Sequence, residues 1–368
     1  MASCPGQWAP AGPAWLKQAV IAQEGRRKLS MGWWFARCDN EADPVTRHEP
    51  LANRTWEWRS CSHEDSIQPL SPAKLCRWLR ERPGKGILVV GDSLSDVFAS
   101  TFAAAMGPLA GGERTHSQGS KMWPICQVDL HDTDAVCRRG PHCAPTNDTT
   151  WLDAPKRLEF VRNDVLDTST RYGGALLNLR GYSCGDGFHS ASILCNAWAP
   201  RVGEFDLVVL NAGAHGPGHG VSHAVYERRL RAAASHVQAQ ARPGAVLLFR
   251  NTPFGHPGCD ERRYLPPLPS VEAAEAYLST GNAKGGRTYD WREFKQRNSV
   301  AAPIFEAAGF KVLDVYTPTS MRADAHIPKD CLHYCIPGPT LHWVNLAAAA
   351  VLDSGHGFGG GSRFTAHS

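Results

Sequence analysis

The sequence has no long apolar run. Its mean hydropathy is −0.33 over 368 residues, and it contains no stretch of the roughly 18 consecutive apolar residues that a membrane-spanning helix requires. The first part of the chain also lacks the continuous apolar core of a secretory signal, because Gln18, Gln23 and Glu24 interrupt it. We therefore expect no transmembrane segment here, and we expect any signal or membrane anchor to lie outside these residues.

Charge of one sign is equally scarce. The 39 Lys and Arg residues nearly balance 35 Asp and Glu residues, for a net charge of +4, and the basic residues are dispersed. Without a basic stripe, the chain does not fit a nucleic-acid-binding class. No glycine-rich phosphate loop follows a predicted strand, so we expect no nucleotide site and no cofactor.

Cysteine, in contrast, is plentiful. Twelve cysteines are spread along the chain, and an even, dispersed set of this kind is typical of disulfides formed in an oxidising compartment. Two glycosylation sequons, which begin at Asn53 and Asn147, agree with that interpretation. We therefore expect a protein of the secretory pathway; the alternative is a cytosolic protein with buried, inert thiols.

Short apolar runs alternate with helical patterns. Such alternation predicts an α/β fold in which a mainly parallel sheet is covered by helices on both faces, as a three-layer sandwich. The predicted strands are 87–90, 157–162, 175–179, 205–210, 245–249 and 311–316. The predicted helices are 71–82, 94–106, 222–241, 290–308 and 340–352.

Three regions of different composition divide the chain. Residues 1–30 are predicted to be an N-terminal segment with some flexibility, residues 31–354 a single catalytic domain, and residues 355–368 a Gly- and Ser-rich tail. Within the domain, residues 107–156 contain three cysteines and little periodicity. This stretch is predicted to be an insertion tied down by disulfides.

The first candidate for chemistry is Ser93. It follows the apolar run Ile87–Val90 and begins a helical pattern, so its hydroxyl is predicted at a strand end and a helix N-terminus. Backbone N–H groups at such a position favour negative charge and can hold an oxyanion. A serine there acts either as a nucleophile or as a turn and cap residue, and the choice requires a base elsewhere in the chain.

A base is available in the segment that follows the last predicted strand. Asp330 precedes His333 by three residues, and a carboxylate so placed can orient the imidazole and stabilise its charged form. In a parallel sheet this loop lies at the same edge as Ser93. Cys331 and Cys335 bracket the histidine and could pin the loop through disulfides.

Two other interpretations use nearby residues. Ser183 lies in a Gly-x-Ser-x-Gly match, which would be a nucleophile elbow if a strand preceded it and a helix followed it. Cys331, His333 and Cys335 could bind zinc, although zinc sites usually need a second pair of ligands. The nearby candidates for that pair are His131, Cys137, His142 and Cys143.

Several motifs together resemble a known family. The chain is similar to the PC-esterase group of the GDSL/SGNH hydrolases, and especially to the trichome-birefringence-like plant proteins. The stretches that carry the resemblance are Gly91-Asp92-Ser93-Leu94-Ser95, the segment from Asp330 to Gly338, Trp56-Glu57-Trp58-Arg59 with Cys61, Asn211-Ala212-Gly213-Ala214-His215, and Phe249-Arg250-Asn251-Thr252-Pro253.

The resemblance implies an SGNH-hydrolase-like domain with a Ser-His-Asp triad. Carried over by position, Ser93 would be the nucleophile, His333 the base and Asp330 its partner. The oxyanion donors would be the Ser93 N–H with Gly213 or Asn211. Apart from the resemblance, two residues that follow predicted strands are candidates for substrate contact. His215 either lines the acyl or sugar site or lies in a solvated loop, and Arg250 either binds a carboxylate or a sugar hydroxyl or forms a structural ion pair.

The expected activity is acyl transfer to carbohydrate hydroxyls, as in polysaccharide O-acetyltransferases of the Golgi lumen or the extracellular space. A carbohydrate acetylesterase of the same fold, or a secreted glycan-binding relative without activity, is the alternative. The expected partners are a carbohydrate acceptor and an acyl donor, which a membrane protein could supply. No nucleic acid is expected as a partner.

Overall fold

The structure is a computed structural model that describes most of the predicted domain. The described residues are 6–29, 38, 55–59, 67–117, 120–126, 156–168, 183–184, 188–189, 196–217, 222–263, 265–280 and 290–352. None of the helices in these ranges combines the length and the apolar character needed to cross a membrane.

The described elements are numbered here along the chain. The strands are β1 (Gln7–Pro10), β2 (Trp56–Arg59), β3 (Gly86–Gly91), β4 (Arg114–Ser117), β5 (Ser120–Pro124), β6 (Arg157–Arg162), β7 (Ser183–Cys184), β8 (Phe188–His189), β9 (Leu207–Leu210), β10 (Val246–Arg250), β11 (Lys311–Leu313), β12 (His326–Ile327) and β13 (Asp330–Tyr334). The helices are α1 (Pro13–Lys28), α2 (Pro72–Arg80), α3 (Ser93–Ala105), α4 (His223–Gln240), α5 (Val271–Thr280), α6 (Phe294–Ala307), α7 (Tyr316–Ser320) and α8 (Pro339–Leu352).

A seven-stranded sheet forms the centre of the molecule, in the order β11-β10-β9-β3-β6-β5-β4. The five strands from β11 to β6 are parallel, as the sequence predicts, and β5 and β4 add an antiparallel edge. Strand β3 lies between β9 and β6. Its carboxyl end therefore has a neighbouring loop on each side, which is the favoured place for a site in an open parallel sheet.

The alternation of side chains along β3 shows how the layers are built. Ile87 and Val89 point into one apolar core, which α3 and α8 cover, and Leu88 and Val90 point into a second core, which α4 and α6 cover. Successive residues of a strand face opposite sides of a sheet. The two cores thus confirm the predicted three-layer α/β architecture.

One predicted strand is shorter in the structure. The strand predicted over 311–316 ends at Leu313, and the short helix α7 begins at Tyr316. The strand ends early because Asn251 Oδ1 accepts the backbone N–H groups of Val315 and Tyr316, at 2.8 and 2.9 Å. The predicted strand 175–179 lies outside the described residues.

The predicted insertion contributes more to the fold than expected. Within residues 107–156, β4 and β5 extend the central sheet, which the weak periodicity of this stretch did not indicate. A disulfide joins Cys126 to Cys76 in α2 and ties the end of β5 to the domain, as the prediction of a disulfide-tied insertion requires. Residues 127–155 lie outside the described part.

The N-terminal segment is not a loose extension over its described residues. Strand β1 pairs with β2, and α1 packs against α3. Gly25 allows the close helix contact, since a Cβ at this position would collide with the carbonyl oxygen of Ala104. Gln18 also exchanges two side-chain hydrogen bonds with Asn345 of α8, at 2.7 and 3.0 Å. Residues 6–29 are therefore attached to the domain through a strand pair, a helix contact and side-chain hydrogen bonds.

The segment that carries Asp330 and His333 is a hairpin and not a loop. Strand β13 pairs antiparallel with β12. Two disulfides attach this hairpin to the rest of the molecule, Cys259–Cys331 and Cys38–Cys335, as predicted for the cysteines that bracket His333. Together with Cys76–Cys126, these disulfides fit a protein of the secretory pathway.

Candidate active site

Ser93 is the first residue of α3 and follows β3 directly. The preceding Asp92 caps the helix, because its Oδ1 accepts the backbone N–H of Leu94 at 2.9 Å. Gly91 permits the sharp entry into the helix, since a Cβ there would collide with Ser95 Oγ. The serine hydroxyl is thus held at the carboxyl edge of the sheet, beside the N–H groups of the first helical turn.

The hairpin brings an imidazole to this hydroxyl. His333 Nε2 lies 2.8 Å from Ser93 Oγ, and His333 Nδ1 lies 2.8 Å from Asp330 Oδ2. A carboxylate only accepts hydrogen bonds, so Nδ1 carries the ring proton and Nε2 is left as the acceptor for the Ser93 hydroxyl. The structure therefore brings together the three residues of the predicted triad, 240 positions apart at their widest.

The charge on Asp330 is stabilised by its own hairpin. Burial alone would raise the pKa of this carboxyl, but the His333 side chain and the backbone N–H groups of His333 and Leu332 hold it well below its usual range. Both N–H groups donate to Oδ1 at 3.1 Å. Oδ2 remains for the imidazole, so Asp330 stays ionised across the neutral range.

Asn211 and Gly213 lie in the loop after β9, next to β3. The Asn211 amide donates to Arg250 O at 2.8 Å and to Thr252 Oγ1 at 3.3 Å, and its Oδ1 accepts from Ser95 at 3.2 Å. A side-chain amide has two N–H groups, so both are engaged inside the protein. The Asn211 side chain therefore has no N–H left to hold an oxyanion, which is the role predicted for either Asn211 or Gly213.

Gly213 is the better placed of the two. Its φ is +155°, and a Cβ would collide with Thr252 Oγ1. Thr252 in turn donates to Ala212 O at 3.1 Å and holds the loop against β10. Within the described residues, the N–H of Gly213 makes no hydrogen bond. This group and the Ser93 N–H are therefore available as a pair of donors at the edge of the sheet.

The sequence of the chain is similar to that of a plant protein. Across 336 residues, the chain is 30% identical to protein trichome birefringence-like 13 of Arabidopsis thaliana, with 82% of this chain and 74% of the relative covered. The chain belongs to the trichome birefringence-like family. No model in a scan of protein families matches the chain.

A solved structure also shows a weak similarity to this family member. It is a peptidoglycan O-acetylesterase, with a TM-score of 0.33 and 10% identity, and the match covers 77% of this chain and 94% of that one. A likeness at this level decides neither the fold nor the function of the trichome birefringence-like chain.

His215 is also predicted as a substrate residue of this trichome birefringence-like protein. The structure places its Nε2 3.4 Å from Asp164 Oδ2, and both side chains are buried. Arg162 binds the same carboxylate, through Nη2 at 2.9 Å. Asp164 follows β6 and His215 follows β9, so the pair bridges the two loops that flank β3.

Arg250 is the last residue of β10, and its side chain lies in the interior of the protein. Its side chain is completely buried, and Nη2 donates to Ser95 Oγ at 3.0 Å. The guanidinium also lies over the ring of Trp343, 5.1 Å from its centroid. Burial lowers the pKa of Arg250 to about 10. Arg250 thus has no exposed surface to offer a carboxylate or a sugar, and it contacts the residues behind the serine instead.

Sequence reasoning missed residues that support the loops of the site. Arg297 of α6 donates to Gly213 O at 2.9 Å and also to Pro217 O. Asn298 exchanges two hydrogen bonds with the backbone of Thr252, at 2.8 and 2.9 Å. Neither residue lies in a motif. Only the polar side chains on an otherwise apolar helix face could have indicated them.

The two competing sites of the sequence do not have the required structure. Ser183 lies in β7, which pairs antiparallel with β8 at Phe188 and His189, so the next described residues after this serine form a strand and not the helix that a nucleophile elbow requires. The zinc interpretation needs thiolates at Cys331 and Cys335, but both sulfur atoms are in disulfides.

Proposed function

We propose that this protein is a serine-dependent acyltransferase that moves an acyl group, with acetyl as the expected group, from an ester donor to a carbohydrate hydroxyl. The observation that carries the proposal is the pair of 2.8 Å contacts that links Ser93 Oγ to His333 and His333 to Asp330. A hydroxyl, an imidazole and an ionised carboxylate in this order are the parts of covalent acyl transfer.

The first half-reaction transfers the acyl group to the protein. Ser93 Oγ attacks the carbonyl carbon of the donor while His333 Nε2 takes the hydroxyl proton, and Asp330 stabilises the imidazolium. The N–H groups of Ser93 and Gly213 would hold the oxyanion of the tetrahedral intermediate. His333 then returns its proton to the leaving oxygen, and the acyl-enzyme remains.

The second half-reaction decides between transfer and hydrolysis. A hydroxyl of the acceptor gives its proton to His333 Nε2 and attacks the acyl carbon, and Ser93 Oγ leaves with the returned proton. Water in the same place gives an esterase. We favour transfer because the plant members of the trichome birefringence-like family resemble polysaccharide O-acetyltransferases. On the same basis we propose a location in the Golgi lumen or the extracellular space.

One experiment tests the nucleophile. A serine-reactive phosphonate should label the wild-type protein and the Ser183→Ala variant. It should not label the Ser93→Ala variant, provided that this variant is folded. Labelling that persists in Ser93→Ala would reject the proposed nucleophile, and loss of labelling only in Ser183→Ala would favour the alternative site.

A second experiment distinguishes transfer from hydrolysis. The purified protein is incubated with p-nitrophenyl acetate and a panel of neutral and acidic oligosaccharides, and the products are examined by mass spectrometry. Acetyl on an oligosaccharide supports the transferase. Release of free acetate alone, with Ser93→Ala inactive, would show an esterase of the same mechanism, and a protein without either product would be a binding relative.

A further inference from the structure

Two more histidines lie close to His333, one in strand β12 of the same hairpin and one in the loop after β10. His256 and His326 are both buried, and His256 Nδ1 lies 2.7 Å from His326 Nε2. The outer nitrogen of each ring faces a backbone carbonyl. His256 Nε2 is 2.6 Å from Ser320 O, and His326 Nδ1 is 3.0 Å from His333 O. This chain of contacts therefore ends on the backbone of the proposed base.

The carbonyl groups of Ser320 and His333, at the two ends of this row of contacts, determine how many protons the two imidazole rings must carry. A carbonyl oxygen only accepts, so each outer contact is a hydrogen bond only if the ring nitrogen carries a proton. The two facing nitrogens need one proton between them. Three protons are required on the four nitrogens, whereas two neutral imidazoles supply two. The observed arrangement is therefore satisfied only when the pair holds one extra proton and a positive charge.

When His256 and His326 are both neutral, the contact that is lost is the one between His326 Nδ1 and the carbonyl oxygen of His333. It is the longest of the three, at 3.0 Å, against 2.7 Å between the rings and 2.6 Å to Ser320 O. With two protons, the shorter contacts are kept, and the lone pair of His326 Nδ1 then faces the lone pairs of the His333 carbonyl. This repulsion pushes the backbone of His333 away from β12.

The surroundings couple the pair tightly to the hairpin. The backbone N–H of His256 donates to Cys331 O at 2.9 Å, and the ring of Tyr334 stacks on His326 with centroids 4.2 Å apart. Burial disfavours the extra charge and lowers the pKa of both rings, that of His256 to about 4. The other titratable or charged groups that face the pair are Arg262, Tyr277, Arg322, Asp324, Asp330 and His333.

We propose that His256 and His326 form a positioning pair for His333, in which uptake of one shared proton makes the hydrogen bond from His326 Nδ1 to the His333 carbonyl. The inference rests on the proposed function for its effect on turnover, but the proton count and the contact stand apart from it. His256 and His326 do not touch the reacting atoms, so they act only through the position of the hairpin.

The primary test is an NMR titration of the full-length protein with 15N-labelled histidine. We expect three N–H groups on the pair below its midpoint and two above it. The resonance of the His333 Nδ1 proton, which is bonded to Asp330, should shift with the same midpoint. Two N–H groups at every pH at which the protein is folded, or a His333 resonance indifferent to the midpoint, would overturn the proposal.

Two variants separate the contact from its titration. His326→Asn places an amide N–H near the position of Nδ1, so the contact to His333 no longer depends on pH. His256→Gln keeps a donor for Ser320 O and removes the facing nitrogen, and it serves if the first variant does not fold. In both variants the pH-linked shift of the His333 resonance should disappear.

Kinetics supply the readout that a merely structural role would not change. The ratio of kcat in His326→Asn to kcat in the wild type cancels the titration of His333 itself. We expect this ratio to change about threefold to tenfold across the NMR midpoint, which is the rate equivalent of one neutral hydrogen bond. A ratio that is constant with pH argues against the coupling. If no form of the protein acts on p-nitrophenyl acetate, the proposed function fails, and the NMR titration still decides the inference.

Discussion

The carboxylate of Asp330 controls which nitrogen of His333 is free to accept a proton. It receives three hydrogen bonds, two from backbone N–H groups and one from the imidazole, all within the turn of sequence from Asp330 to His333. The two backbone hydrogen bonds hold Oδ1 and so orient the carboxylate independently of the imidazole. A single residue thus sets both the position and the tautomer of the proposed base.

Replacement of Asp330 by Asn should therefore reduce turnover severely. The amide can donate to Nδ1, which transfers the ring proton to Nε2 and removes the acceptor for Ser93. We expect kcat on p-nitrophenyl acetate to fall about 10³- to 10⁴-fold with the fold retained. The control is Asp260→Asn, next to Cys259, where Oδ1 accepts the backbone N–H of Lys329 at 3.0 Å. Near-normal turnover in Asp330→Asn would contradict the triad.

The buried Arg250 makes a second prediction at this scale. Arg250→Met removes the bond to Ser95, and with it one support of Asn211. If Arg250 positions the residues behind Ser93, kcat should fall about tenfold, the effect of one or two lost hydrogen bonds, and KM should change little. Ser95→Ala should change kcat in the same direction. A rise in KM for oligosaccharide acceptors without a change in kcat would instead show that Arg250 contacts the substrate.

The motifs of the sequence predicted the triad better than they predicted its support. Ser93, Asp330 and His333 lie in two short segments with local signals, a strand end and an Asp-x-x-His spacing. Arg250 and Asn211 lie in motifs as well, but whether a polar side chain faces the site or the interior depends on neighbours from distant strands. Arg297 has no local signal, because its contact with the loop of Gly213 exists only once α6 packs on the sheet.

At the scale of elements, the hairpin of β12 and β13 depends on covalent attachment. It lies apart from the central sheet, as a two-stranded sheet of its own, and such a hairpin is at best marginally stable alone. Cys259–Cys331 and Cys38–Cys335 anchor β13 and the residue that follows it. The hydrogen bond between His333 and Ser93 therefore requires disulfides that lie beside, and not within, the site.

Removal of one of these disulfides should affect both stability and turnover. Cys259 and Cys331 are 72 positions apart, and for a loop of this size we expect a loss of about 2–4 kcal/mol in the free energy of unfolding for Cys259→Ser with Cys331→Ser. We also expect a lower kcat under conditions where the protein remains folded, because His333 is less well positioned.

The matched control is the disulfide between Cys76 and Cys126, which are 50 positions apart and join α2 to the end of β5. Cys76→Ser with Cys126→Ser should lower stability by a similar amount and leave kcat unchanged. Urea unfolding and steady-state kinetics of both double variants provide the comparison. An equal fall in kcat in the two would show that the effect is general and not specific to the hairpin.

Helix starts were predicted well where a capping serine precedes the helix, and one of the weaker strand predictions also has the correct bounds. The strand predicted over 157–162 has those bounds in the structure, and Ser71 and Ser222 cap α2 and α4 with their side chains. Strands β4 and β5 were missed because they are short and show little apolar alternation. Strand β5 pairs with β6, which is distant in sequence, and β4 pairs with β5 at the edge of the sheet. Strand β13 was taken for a loop because its partner β12 has only two residues.

At the scale of the whole molecule, buried neutral histidines make the fold sensitive to acid. His342 of α8 lies among the rings of Trp8, Trp15 and Trp58, with centroids 5.7, 6.5 and 6.1 Å away. This cluster joins β1, α1 and β2 to the last helix. Burial lowers the pKa of His342 to about 3 and that of His256 to about 4, because the charged ring would lose its hydration.

The sign of the pH dependence follows from these values. An unfolded chain protonates histidine below about pH 6.5, whereas the folded protein keeps His342 neutral until about pH 3. Between these values the unfolded state binds one more proton, so stability is complete above pH 6.5 and is lost as the pH falls. Each such histidine should lower the free energy of unfolding by about 1.4 kcal/mol per pH unit in this window.

The variant His342→Phe removes one of these protons and keeps an aromatic ring in the cluster. Between pH 6.5 and pH 4.5 we expect its free energy of unfolding to fall more slowly than that of the wild type, by about 1.4 kcal/mol per pH unit. Urea unfolding at a series of pH values measures both slopes. His223→Phe, at an exposed position at the start of α4, is the control for the loss of a histidine from the surface. If His342→Phe and the wild type lose stability in parallel, His342 binds its proton over the same pH range in the folded and in the unfolded protein. The aromatic cluster would then hold a cation below pH 6.5, and the attachment of β1, α1 and β2 to α8 would not depend on a neutral imidazole.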